Sequence, residues 1–339
     1  MSLNNPWDAT SSNEALELAL RAKVAHQAQT FGSMGELDAL AVRIGLIQNS
    51  LTPRLYGPQL LLFAADHGLV ADGLPKSSLP PRREYLQHLL QDQSPLAILA
   101  RQQGIEWCIV DAGLSEVMPS HARLLPRKIS AGSQNARLAQ AMSVEQAHAA
   151  LRAGMEMGDS LPGNVVACAA VGLGANESGA LLLSRLGGVD LRELVLPATP
   201  TPEDLSYPRL VTRLSEALDR HRNVTKPIEV LAALGGPDIA MMVGVMIVIA
   251  SKRGVIVADG LPAAAAFMLA QCISPTITEA CIFTRSNSHP GMDVAPSLFK
   301  ATAMLELGME SIDGTGATLA WPMLQSAAGL LTGLPEQVI

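Results

Sequence analysis

Residues 57–73 read GPQLLLFAADHGLVADG. Gln59 to Ala64 is an apolar run of strand length, and it stops at Ala65-Asp66-His67-Gly68. A strand buried on both faces reads as a continuous apolar run, and open α/β sheets bind ligands just beyond the carboxyl ends of such strands. Asp66 and His67 therefore stand where a ligand-facing edge is expected, although a surface turn after a core strand leaves the same trace.

The device recurs. IEWCIVDAG (residues 105–113) gives a strand from Trp107 to Val110 followed by Asp111 and Gly113, and VIVADG (255–260) ends in Asp259-Gly260. A fourth apolar run, Val165 to Ala170, leads into Gly172-Leu173-Gly174 and then a helix. Gly-x-Gly between strand and helix suits a phosphate cradled by backbone N–H groups, but one such triplet is weak evidence. Helical periodicity fills the intervals. Two helices are expected over 12–50 with Ser12 as cap, one over 82–103, one from Ser143 to Leu161, and one over 209–223. Gly235-Gly236-Pro237-Asp238 opens another through Ala250, and a further one spans Ala263 to Gln271. Pro197 to Pro208, with four prolines, is expected to be an irregular loop. Strands alternating with helices, each strand closing on an acid, imply an α/β protein with one sheet and one functional edge.

Composition narrows the function. The 339-residue chain is 48% apolar but only 3% aromatic, so Ala, Leu, Val, Ile and Met must fill the core. The net charge of -7 and the absence of any basic stretch argue against nucleic acid as a partner. The four cysteines, Cys108, Cys168, Cys272 and Cys281, lack metal-ligand spacing and read as reduced residues of a cytoplasmic protein. No basic leader precedes an apolar run, and Ile239 to Ala250 is too short to span a bilayer, so neither secretion nor a membrane partner is expected.

One stretch carries more chemistry than the rest. Leu305 to Pro322 reads LELGMESIDGTGATLAWP, with Asp313 followed at once by Gly314-Thr315-Gly316 and a helix start. Glycines let a backbone approach a ligand, and a helix N-terminus offers unpaired N–H groups to an anion. An Asp helix cap with a glycine turn is the plainer alternative.

Taken in order, FGSMGELDALA, LLFAADHGLVADG, IEWCIVDAGL, PRKISAGSQN with AMSVEQAHAALRAG, LGGPDIAMMVG with VIVADGLPAAAA, and DGTGATLAWPMLQSAA resemble the nicotinate-nucleotide:dimethylbenzimidazole phosphoribosyltransferases over roughly residues 15–330. The resemblance implies a doubly wound, mainly parallel α/β fold with flanking helices. It also implies a small helical part at residues 1–50 and a continuous transferase domain over 51–339. It implies transfer of a phosphoribosyl group from nicotinate mononucleotide to an aromatic acceptor, dimethylbenzimidazole or a phenol such as p-cresol, on the way to a cobamide lower ligand. No cofactor or metal is implied, and the working form is a dimer with itself or a related chain. Asp313 falls where the family has a glutamate as proposed general base. Gly172 and Gly174 match its phosphate-side segment, whose acid is here Ala170, and Arg209 falls on its phosphate-contacting lysine. Asn287 takes the place of a family serine. Asp259, Gly314, Thr315 and Gly316 complete the expected substrate-binding set. Because the departures gather in the pocket, a catalytically degenerate subunit that only binds nucleotide is the competing expectation.

Overall fold

The computed structural model describes residues 13–73, 82–195, 207–277, 280–284, 291–292, 294–301, 303–309 and 314–333. The strands are β1 (Gln59–Ala65), β2 (Glu106–Gly113), β3 (Leu124–Pro126), β4 (Val165–Ala170), β5 (Val255–Ala258) and β6 (Cys281–Phe283). They form one sheet in the order β3-β2-β1-β4-β5-β6, and every pairing is parallel. The chain winds outward through β2 and β3 on one side of β1, then returns to its other side with β4 and winds outward again. That reversal makes β1/β4 the topological switch point.

The apolar runs are continuous because alternate residues serve opposite faces. Leu61 and Phe63 enter one core while Leu60, Leu62 and Ala64 enter the other, and β4 divides its residues in the same way. The first core lies under α5 (Val144–Ser160), α6 (Ala175–Gly187), α9 (Pro227–Leu234), α10 (Pro237–Ser251) and α11 (Leu261–Ile273), with α7 (Leu191–Val195) and α8 (Tyr207–Arg220) alongside. The second lies under α1 (Glu14–Phe31), α2 (Glu36–Gln48), α3 (Arg82–Leu90), α4 (Pro95–Gln103) and α12 (Thr315–Thr332). The two N-terminal helices thus share the core of the sheet, through Leu20, Val24 and Ile44.

Small residues set the spacing. A Cβ on Gly154 of α5 would lie 2.1 Å from the Met241 carbonyl, and one on Gly244 of α10 would lie 2.1 Å from the Leu151 carbonyl. Backbone therefore meets backbone, and Ile239 to Met246 is buried all round.

Some local expectations change. The cap of α1 is Asn13, whose side chain accepts from the Leu16 N–H, while Ser12 lies outside the described residues. The helix expected over 82–103 is two helices. Asp92 adopts φ 59, and Ser94 then caps α4 with Pro95 in its first turn. A left-handed residue followed by a cap and a proline ends one helix and starts the next. Ser143 caps α5 in a full capping box with Gln146. The loop expected at Pro197 to Pro208 falls mostly outside the described residues. β3 and β6, three residues each, carry too short an apolar run to be read from periodicity.

Candidate active site at the carboxyl edge of the sheet

Five segments converge at the switch point. Beyond β1, the Asp66 N–H donates to the Gly113 carbonyl and the Ser133 N–H donates to the Asp66 carbonyl. The Asp66 Oδ2 accepts from the Ser115 N–H at 2.9 Å and from its hydroxyl at 2.6 Å, which ties β1 to the loop after β2. The Gly68 N–H lies 3.3 Å from the Ser133 Oγ, and Gly68 leaves no room for a side chain, since its Cβ would meet the Asn135 nitrogen at 2.3 Å. Gly172 packs against the Ala65 carbonyl, 2.0 Å from where its Cβ would stand. These approaches frame a cleft of about 330 Å³. Val70, Leu86, Leu114 and Met118 supply apolar wall, and Asp66, Ser115, Ser133 and Arg83 supply polar groups.

His67 stands at the centre of this arrangement, 3% exposed. Its backbone N–H donates to the Leu173 carbonyl, and its Nε2–H donates to Asp238 Oδ2 at 3.0 Å. Burial opposes protonation of the ring, but Asp238 foremost, with Glu177 and Asp66, outweighs it and raises the pKa above 6.5. Its Nδ1 is buried without a hydrogen-bond partner among the described residues.

Gly172 and Gly174 sit in this edge as the sequence places them. Gly174 has φ +79 and stands at the N-cap of α6, where it has no side chain of its own to cap the helix. Asp111 turns inward on its own loop, accepting from the Leu114 N–H at 2.9 Å with Lys128 3.4 Å away.

Asp259, Gly314, Thr315 and Gly316 form a second group, beyond β5. Asp259 is wholly buried, and its Oδ2 accepts from the Gly314 N–H at 2.8 Å and the Ala317 N–H at 2.9 Å. It caps α12 from a strand more than fifty residues away in sequence. Gly314, at φ +97, packs on Leu62 and Leu96, and a Cβ on Gly316 would stand 2.9 Å from Asp259 Oδ2. The helix N-terminus that the sequence offers to an anion is filled by this carboxylate. Thr315 is 4% exposed.

Arg209 borders a different depression, of about 440 Å³, with Arg137, Thr212, Arg213 and Glu216. Asp72 holds Arg137 through two hydrogen bonds and Arg213 at 3.2 Å. The hydrogen bonds from Arg137 lead the causes that keep the Asp72 carboxyl below its ordinary range. Asp313 and Asn287 lie outside the described residues.

The cysteines are not poised as nucleophiles. Burial pushes the thiols of Cys108 and Cys281 up to about 12. No cluster of three or more His, Cys, Asp or Glu side chains that could hold a metal occurs among the described residues, nor any helix long and apolar enough to cross a membrane.

The sequence did not reveal the His67–Asp238 pair, whose members are 171 positions apart. Its one local trace is the Gly-Gly-Pro-Asp that starts α10.

Sheet order, parallel pairing and a cleft at the strand reversal define a doubly wound α/β protein of the ligand-binding kind. The chain belongs to the nicotinate-nucleotide:dimethylbenzimidazole phosphoribosyltransferase family: a family model described as phosphoribosyltransferase matches residues 9–337. It is similar to the nicotinate-nucleotide:dimethylbenzimidazole phosphoribosyltransferase of Variovorax paradoxus, 34% identical over 94% of this chain and 90% of the relative. The enzyme of that name from Cupriavidus necator is 34% identical over 96% of this chain and 94% of its own length. Among solved structures, the nicotinate-nucleotide:dimethylbenzimidazole phosphoribosyltransferase of Thermus thermophilus superposes with a TM-score of 0.84. It is 25% identical, covering 94% of this chain and 96% of that one.

Proposed function

We propose that the chain transfers the phosphoribosyl group of nicotinate mononucleotide to dimethylbenzimidazole, for use as a cobamide lower ligand. The observation that carries this reading is the cleft at β1/β4, which is bordered by the motifs that the sequence shares with the family. In the reaction the bond from C1′ to the nicotinate nitrogen breaks, and an acceptor nitrogen bonds to C1′ from the opposite face. Nicotinate leaves with the bonding electrons, and the acceptor gives up its proton. The apolar wall of Leu86, Leu114 and Met118 suits a flat aromatic acceptor, and a phenol is the second acceptor this wall would admit.

The Gly172–Gly174 turn at the start of α6 suits the 5′-phosphate, because helix-terminal N–H groups and the helix dipole favour an anion. Arg209 serves as an anion-steering or phosphate group on the neighbouring depression. Asp313 is assigned as the general base, and a second copy or a related chain completes the working assembly. Nicotinate release from nicotinate mononucleotide, with dimethylbenzimidazole and phenol offered in turn, tests the reading. Asp313→Asn should lower turnover about 10²-fold or more while nucleotide binding persists. No release by the unmodified protein with either acceptor would overturn the proposal in favour of a nucleotide-binding subunit.

A further inference from the structure

The proposed transfer assigns no step to His67, yet this residue joins the turn after β4 to the start of α10. Its backbone N–H holds the Leu173 carbonyl at the middle of the Gly172–Gly174 turn. Its Cβ lies 3.0 Å from where a Gly174 side chain would begin, and Leu173 itself borders the cleft. On the other side, its ring packs against Gly236, where an added Cβ would come within 2.3 Å of Cε1 and 3.0 Å of Nδ1. Asp238 grips Nε2 from the first turn of α10 and also accepts from the Ile239 N–H at 2.9 Å, so the carboxylate is itself fixed. A core histidine present only for packing would have both ring nitrogens satisfied, and the Nδ1 of this one is not, among the described residues. The charges acting on the ring are carboxylates from three elements: Asp238 on α10, in contact with it, and Glu177 on α6 and Asp66 after β1 through space.

We infer that His67, held by Asp238, is a positioning residue that locks the Gly172–Gly174 turn against the start of α10 and so fixes the place of the nucleotide in the cleft. The inference rests on the transferase reading and assigns His67 no contact with the reacting atoms. A turn released from this lock is displaced by a fraction of an ångström to an ångström, enough to weaken a phosphate site built from backbone groups and to cost about tenfold or more.

The length of the side chain supplies the test. The amide of a glutamine reaches about as far as Nε2 and keeps a donor to Asp238, whereas an asparagine is too short. His67→Asn should raise KM for nicotinate mononucleotide about tenfold or more, with kcat changed less than threefold, while His67→Gln restores KM to within about threefold of the unmodified enzyme. Calorimetry with nicotinate mononucleotide alone should show the same order of affinities. Unchanged KM in His67→Asn overturns the inference, as does an equal loss in both variants accompanied only by a fall in Tm. Should His67→Asn fail to fold, Asp238→Asn replaces it: the removed charge should raise KM about threefold or more, and an unchanged value is fatal to the idea. If the unmodified protein binds the nucleotide but releases no nicotinate, the transferase reading falls and the positioning role is judged on affinity alone.

Discussion

Two joints at the same edge of the sheet handle buried charge in opposite ways. Beyond β5, the Asp259 carboxylate takes up two backbone N–H groups of α12, and the glycine beside it leaves no space for anything else. Beyond β1 and β4, an imidazole is gripped by a carboxylate on one nitrogen only, and an open cleft adjoins it. At the first joint the carboxylate is engaged by the helix backbone and acts as a rivet, although the neighbouring Thr315 hydroxyl is buried without a partner among the described residues. The second holds an imidazole nitrogen without a partner among the described residues, and it borders free volume. Proximity to the sheet edge thus does not make a residue functional, nor does an unpartnered polar atom, which both joints hold; free volume beside the polar groups is the better sign.

The largest effect should come from removing the rivet. Asp259→Ala leaves two buried N–H groups without this acceptor, at about 1–3 kcal/mol each, so urea denaturation should show a loss of about 2–6 kcal/mol. Asp259→Asn keeps one oxygen as acceptor and should lose clearly less. Equal losses would mean that charge, rather than the hydrogen bonds, holds α12.

The second joint should respond to pH. The pKa of His67 is raised in the folded state by Asp238, Glu177 and Asp66 against the opposition of burial. Its contribution to stability is therefore complete below about 6.5 and fades as pH rises through the folded-state value. Unfolding free energy should fall between about 6.5 and the folded-state value with a slope no steeper than one proton, about 1.4 kcal/mol per pH unit, and the slope should vanish in His67→Gln. A stability that rises with pH over that range, relative to the variant, would contradict the pairing.

The smallest effect is expected at Asp66, the carboxylate bordering the cleft. Its anchor to Ser115 lies in an exposed setting, so Asp66→Ala should cost about 0.5–1.5 kcal/mol in denaturation while nucleotide or acceptor binding suffers more. A loss matching that of Asp259→Ala would erase the contrast between the two joints.

The sheet was legible because two-sided burial writes an unbroken apolar run. Val165 to Ala170 and the run at Gln59 were found almost to the residue. The site was legible only in part. Gly172 and Gly174 could be placed from their position between strand and helix. Asp259 and Gly314 could be marked as special, but their sequence looks the same whether the acid meets a ligand or a helix end. The break between α3 and α4 escaped because one left-handed Asp92 overrides a helical pattern that otherwise continues.

By itself the sequence determined the α/β class and the carboxyl-edge placement of Asp66, Asp111 and Asp259, since both follow from local pattern. Only the tertiary structure decided which charged groups were already spoken for. It brought Asp238 to His67 across 171 positions and Asp259 to Gly314 across 55, and it set Arg209 on a depression of its own. The reason is physical: whether a buried polar group is satisfied depends on which distant backbone or side chain packs within about 3 Å of it, and no periodicity in the chain encodes that.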